Sequence, residues 1–194
     1  MASISGELIA ELPDTFRYSE ALEHISERQL RRLIAEGQIT ALSRGLYRKS
    51  DWLGDDDLIE IASKSPRATL CLRSALAKHD LIDDIPAVID IAIPRGSWTP
   101  ETRVPVRWRH FDPDTFEIGR EQLDIGAGRS VGLYSAERSI IDAFRLRHLD
   151  GADMANEALK RWLRRGGQPA TLLRTAKAFP RALTPLRQTL EVLL

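Results

Sequence analysis

Residues 15–49, TFRYSEALEHISERQLRRLIAEGQITALSRGLYRK, read in order as a short strand, two helices joined by a tight turn, and a β-hairpin with Arg44-Gly45 at its tip. That order is that of a winged helix-turn-helix, so the first expectation is a DNA-binding module. The reading starts at Ser26, because Ser26-Glu27-Arg28-Gln29 has the S-x-x-Q form in which hydroxyl and amide satisfy each other's orphan backbone donors. Leu30, Leu33 and Ile34 then form one apolar stripe, and Gly37 supplies the left-handed residue that closes many helices. At about 100° per residue, Arg28 and Arg32 point away from the stripe and Arg31 lies beside them. This span is the expected recognition helix.

Its first residues are those that normally reach base edges, where Arg suits guanine and Gln suits adenine. Gln29 ranks below Arg28 and Arg32, since a side chain folded back into a capping box is withdrawn from a base. The same three arginines, balanced by Glu27 and Glu36, would also suit a plain solvated face. The flanking elements favour DNA. Ser19 is placed to cap a short helix carrying Ala21, Leu22 and Ile25, separated from Ser26 closely enough to force a steep crossing. After the recognition helix, residues 39–43 and 46–48 are strand-like around Gly45, which permits the positive φ of a tight turn. Arg44 would stand at the wing tip with Arg48 and Lys49 at its base, all three holding phosphates or entering a minor groove.

The 194 residues suffice for one large or two small domains, and 43% hydrophobic content is that of a globular protein. Residues 1–54 hold seven Arg or Lys against eight Asp or Glu, so DNA affinity must come from the placement of basic groups rather than from their excess. Binding by that module alone should be weak and salt-sensitive. The single cysteine, Cys71, reads as core filling and rules out an internal disulfide. The four histidines, His24, His79, His110 and His148, lack ligand spacing, and nothing calls for a metal or a cofactor. No stretch approaches the roughly 20 apolar residues of a membrane span, and the opening MASISGELIAEL lacks a basic region followed by an apolar run, so a cytoplasmic protein is expected.

The acidic run Asp51 to Asp57 divides the chain into a winged helix-turn-helix at 1–54 and a C-terminal domain at 55–194, with Asp55 or Asp56 capping a helix through Ile61. After Pro66 the pattern predicts a helix containing Leu70, Leu72, Ala75, Leu76 and Ala77. Residues 88–93 read as a strand, as do Val104, Val106 and Trp108, whose alternation with Arg103, Arg107 and Arg109 marks one buried face. Leu123-Asp124-Ile125 and Val131-Gly132-Leu133 look like a short pair, and Ser135 caps a helix through Phe144. Three further helices follow, ended by Gly166-Gly167 and begun by Pro169 and by Thr184-Pro185. The fold class is therefore α+β, with a small β-sheet and a helical C-terminal third in the second domain. That last third carries eight basic residues and no acidic one from position 160 to 187: Lys160, Arg161, Arg164, Arg165, Arg174, Lys177, Arg181 and Arg187. It reads as a second binding face for DNA, RNA or an acidic protein.

Three segments in order, GQITALSRGLYR, LCLRSALAKHDLIDDIP with VIDIAIP, and GLYSAERSIIDAFRLR, resemble the AbiEi-type antitoxins of bacterial abortive-infection toxin–antitoxin systems. The likeness runs over nearly the whole chain. It implies a repressor that binds repeats in the double-stranded DNA of its own promoter, and a C-terminal domain that counters a nucleotidyltransferase-like toxin. The alternative is a winged-helix regulator whose C-terminal domain senses a ligand or dimerises and has no toxin partner. No enzyme is expected. Gly96-Ser97 followed by Asp112-Pro113-Asp114 imitates a nucleotidyltransferase motif, yet Pro113 lacks the ladder N–H that a metal-holding strand needs. Asp83, Asp84 and Asp90 read as loop and strand-surface residues.

Overall fold

The structure, a computed structural model, describes residues 8–51, 55–126 and 128–193. It is α+β and divides into two compact units, Met1–Lys64 with Asp124–Ser130, and Ser65–Leu123 with Val131–Leu194. The first unit therefore runs past Gly54 to include the helix that the sequence had assigned to the C-terminal domain.

In the first unit, β1 (Thr15–Arg17), α1 (Tyr18–His24), α2 (Glu27–Ala35), β2 (Ile39–Ser43), β3 (Leu46–Lys49) and α3 (Asp56–Lys64) follow one another. The strands form an antiparallel sheet in the order β1-β3-β2. Ser26 caps α2: its Oγ accepts from Gln29 N at 3.3 Å and Gln29 Oε1 accepts from Ser26 N at 2.7 Å. Gly37 closes α2 at φ 71° and Gly45 turns the β2–β3 hairpin at φ 73°, both conformations costly for a side chain with a Cβ. Phe16, Ala21, Ile25, Leu30, Leu33 and Ile39 make the core, with Tyr47 stacked on Phe16. Helix α1 starts at Tyr18 rather than after a Ser19 cap, because Glu20 already accepts the Arg17 N–H at 2.7 Å. Only Ala21 and Ile25 then reach the core, one turn apart, and Leu22 is left exposed, contrary to the expected stripe. Asp55 caps α3 by accepting from Leu58 N at 3.1 Å.

The second sheet has five strands in the order β6-β5-β4-β8-β7, from β4 (Thr69–Leu70), β5 (Ile89–Pro94), β6 (Val106–Phe111), β7 (Arg120–Gly126) and β8 (Arg129–Tyr134). It is mixed: β4 runs antiparallel to β5 and parallel to β8, and β5 parallel to β6. The helices are α4 (Leu72–Lys78), α5 (Pro113–Phe116), α6 (Ala136–Arg145), α7 (Arg147–Asp150), α8 (Ala152–Arg164), α9 (Pro169–Ala176) and α10 (Pro180–Leu193). Residues Ile140, Ile141 and Phe144 of α6 pack with Leu159 and Trp162 of α8, Leu172 of α9, and Leu186 and Leu190 of α10.

Three expectations are corrected here. Leu70 belongs to strand β4, paired on both sides, and the helix starts only at Leu72, whose φ of 44° turns the chain out of the sheet. Helix α10 begins at Pro180, which takes the proline-tolerant first turn, and Pro185 lies inside it instead of starting it. On β6, Val106 and Trp108 are half-buried and Arg107 is exposed, as the alternation predicts, while Arg109 and buried Phe111 show that the other face is covered toward the strand's end. The third correction is Asp90, which is 1% exposed and thus no strand-surface residue; beside it Arg109 is largely buried and Arg107 stays half-exposed. Arg109 Nη2 lies 2.8 Å from Asp150, and Arg107 and Arg109 lie 3.6 and 3.5 Å from Asp90. Burial pushes the Asp90 carboxyl up from its ordinary range, against the pull of Arg109 and Arg107.

Candidate nucleic-acid interface

The basic side chains of the first unit separate into three groups. Arg28, in the first turn of α2, and Arg44, at the hairpin tip, are exposed, and among the described residues neither takes an ion pair or a side-chain hydrogen bond. Arg31 pairs with Glu27 at 2.5 Å and Arg32 with Glu36 at 3.5 Å, each one turn apart on the exposed face of α2. Such solvated pairs contribute about 0–1 kcal/mol, so a phosphate competes with them readily. Glu27 also bears on α1: local desolvation and then the Glu27 carboxylate raise the Tyr18 hydroxyl above its ordinary range.

Arg48 and Lys49 behave differently. Arg48 Nε lies 2.9 Å from Asp56, and its Nη1 donates to the carbonyls of Lys49 and Ser50 at 2.9 and 3.3 Å. Lys49 Nζ meets Asp14 at 3.2 Å. Both side chains are more than four-fifths buried and tie β3 to its neighbours. Gln29 is held in the capping box through its Oε1. The hairpin tip is anchored as well, since Gly45 O accepts from Tyr18 N at 2.9 Å, which sets the loop carrying Arg44 against the start of α1.

The C-terminal basic residues do not form one uniform face. Arg161 donates to both carboxylate oxygens of Asp83, at 2.7 and 2.6 Å, and this pairing lowers the Asp83 carboxyl. Arg165 donates to His79 O at 2.9 Å and Arg174 to Thr171 Oγ1 at 3.1 Å. Lys160, Arg164, Lys177, Arg181 and Arg187 are exposed, without such partners among the described residues. Asp112, half of the apparent nucleotidyltransferase motif, caps α5 by accepting from Asp114 N at 3.1 Å and lies on no strand.

The sequence reading missed Arg138. It is 0% exposed, its Nε donates to Asp142 at 2.9 Å, and its Nη1 donates to the carbonyls of Thr115 and Ile118 at 2.7 and 2.6 Å. Its guanidinium stacks 4.2 Å from the Tyr134 ring and 4.3 Å from Phe179. Burial raises the Tyr134 hydroxyl well above its ordinary range, and that hydroxyl donates to Phe116 O at 2.9 Å. Asp142 is shared, because Arg145 Nε also donates to it at 3.0 Å. The i, i+4 spacing of Arg138 and Asp142 on a helix was visible, but nothing local marked it as buried.

No family model matches the chain, and no curated protein does. Among solved structures the chain is similar to the RV2827C protein of Mycobacterium tuberculosis, at 15% identity and a TM-score of 0.55, over 97% of this chain and 79% of that one. That likeness concerns the fold. Among the described residues no helix is long and apolar enough to cross a membrane.

Proposed function

We propose that the first unit is a winged helix-turn-helix that binds promoter DNA, and that the chain is an AbiEi-type antitoxin. In this reading it works in the cytoplasm, represses its own operon at promoter repeats and neutralises a nucleotidyltransferase-like toxin. The observation that carries the DNA-binding half is the placement of Arg28 and Arg44. One stands in the first turn of the second helix and the other at the tip of the following hairpin, both exposed and unengaged among the described residues. A recognition helix reads bases from its first turns, and a wing holds backbone. Eight carboxylates against seven basic groups in residues 1–54 make those two positions decisive. The antitoxin half is supported by the ordered resemblance of the three segments and by the exposed basic residues of α8 to α10.

Two outcomes follow for DNA. Arg28→Ala should cost about 1–3 kcal/mol on operator DNA and much less on scrambled DNA, as expected for a bidentate contact to guanine. Gel-shift titrations on both duplexes at one salt concentration measure the difference, and equal losses would make Arg28 a phosphate contact. Arg44→Ala should weaken binding to every sequence and reduce the slope of log affinity against log salt by about one unit. A titration series across salt concentrations reads that slope; an unchanged value would take the hairpin tip off the DNA. The antitoxin half is tested by co-expression with the product of the adjacent gene, where growth rescue is expected and its failure would leave a regulator without a toxin partner.

A further inference from the structure

We propose that the C-terminal unit binds a phosphoryl anion in the cleft between the end of β5, the end of α6 and the first turn of α10. The site rests on the packing of that unit and is independent of the DNA and antitoxin readings. The cleft measures about 390 Å³ and is lined by three guanidinium side chains, Arg95, Arg145 and Arg181, with Asp112 as its one lining carboxylate among the described residues. Arg95 stays 3.8 Å from Asp112, beyond a close ion pair, and is 68% exposed. Arg181 is exposed, without a partner among the described residues, and stands where the α10 dipole adds positive potential.

The floor of the cleft reinforces this charge. Thr115 and Phe179 line it, and both also touch Arg138: the Thr115 carbonyl accepts from Nη1 and the Phe179 ring lies against the guanidinium. Among the described residues Asp142 alone answers both Arg138 and Arg145, so one positive charge in this interior has no carboxylate of its own there. Arg138 Nη2 is buried with no hydrogen-bond acceptor among the described residues. Stacking of Arg145 at 4.4 Å from the Phe111 ring offsets part of that excess. Buried charges are stable when paired, and an anion from solution would supply the partner that the excess guanidinium charge beneath this cleft lacks. Three guanidinium side chains lining one cleft suit the several acceptor oxygens of a phosphoryl group better than the two of a carboxylate. The cleft is larger than one phosphate, which points to a phosphate carrying a substituent: a free nucleotide or the 5′ end of a nucleic acid.

Pyrophosphate titrated into the full chain at constant ionic strength, followed by calorimetry and by thermal melting, tests the site. Saturable binding with a rise in melting temperature is expected. Arg181→Ala and Arg95→Ala should each weaken it by about tenfold, the loss of one hydrogen bond to a charged group. Lys78→Ala, exposed at the end of α4 and outside the cleft, should leave it unchanged. Asp112→Asn, which keeps the α5 cap, should tighten it. Both arginines are exposed, so unliganded melting curves of these variants should match the parent. Displacement of pyrophosphate by a nucleoside triphosphate would identify a free nucleotide as the source. Displacement by a 5′-phosphorylated oligonucleotide, with no effect of its 5′-hydroxyl counterpart, would identify a nucleic-acid end. Unsaturable binding, or equal weakening in Arg181→Ala and Lys78→Ala, would overturn the proposal.

Discussion

Replacement of Asp142 by alanine is expected to destabilise the protein by about 3–5 kcal/mol, because it strands buried guanidinium charge. Asp142 is fully buried and is shared by Arg138, through Nε at 2.9 Å, and by Arg145, through Nη2 at 2.8 Å. Removing it leaves both arginines facing aromatic rings and the carbonyls of Thr115 and Ile118, which cannot neutralise them. Denaturant unfolding would register the loss as a lowered midpoint with an unchanged slope. The double change Arg138→Met with Asp142→Leu should cost less than Asp142→Ala, since replacing a buried pair by apolar groups of similar size spares the unpaired-charge penalty. A single change with no measurable loss would show that the Arg138–Asp142 pair is not needed to hold α6 to the residues around Thr115 and Ile118.

Growth rescue is expected to be lost in the double variant Lys160→Glu with Arg164→Glu, while operator binding stays close to that of the parent. These residues are exposed and unengaged among the described residues, so their reversal changes the surface field of α8 without breaking internal contacts. Arg161 and Arg165 are less suitable targets. Reversing Arg161 would place a carboxylate against Asp83, and Arg165 holds the His79 carbonyl, so either change would mix packing with recognition. Co-expression with the adjacent gene product, after thermal melting confirms folding, separates the cases. Full rescue would remove this face from neutralisation. A joint loss of rescue and repression would point to one nucleic-acid surface that includes α8.

The elements that could be read from the sequence are those determined by near neighbours. Ser26 with Gln29, Gly37, Gly45 and Ser135 act over three or four residues, and the α2 start, its end, the hairpin turn and the start of α6 lie where those residues place them. What was not legible depends on partners far along the chain. Leu70 has helical company in sequence but is captured by strand neighbours Ile91 and Leu133. Arg109 looks like a solvent-face residue of β6, yet Asp90 and Asp150, far along the chain, hold it in a largely buried position. Arg48, expected at phosphates, is held by Asp56 in the next helix. Among the candidate site residues, the sequence placed Arg28 and Arg44 on their elements, but only the structure separates them from neighbours that already have partners. The same holds in the cleft, where Arg95, Arg145 and Arg181 are distant in sequence and share one opening.

The most direct test of the central claim is a fluorescence-anisotropy titration of the full chain on its own promoter fragment and on a scrambled duplex of equal length, at one fixed salt concentration. The account predicts tighter binding to the promoter than to the scrambled duplex, with Arg28→Ala moving the promoter curve toward the scrambled one and barely shifting the latter. Equal binding of the parent protein to both duplexes, or binding to neither, would contradict it.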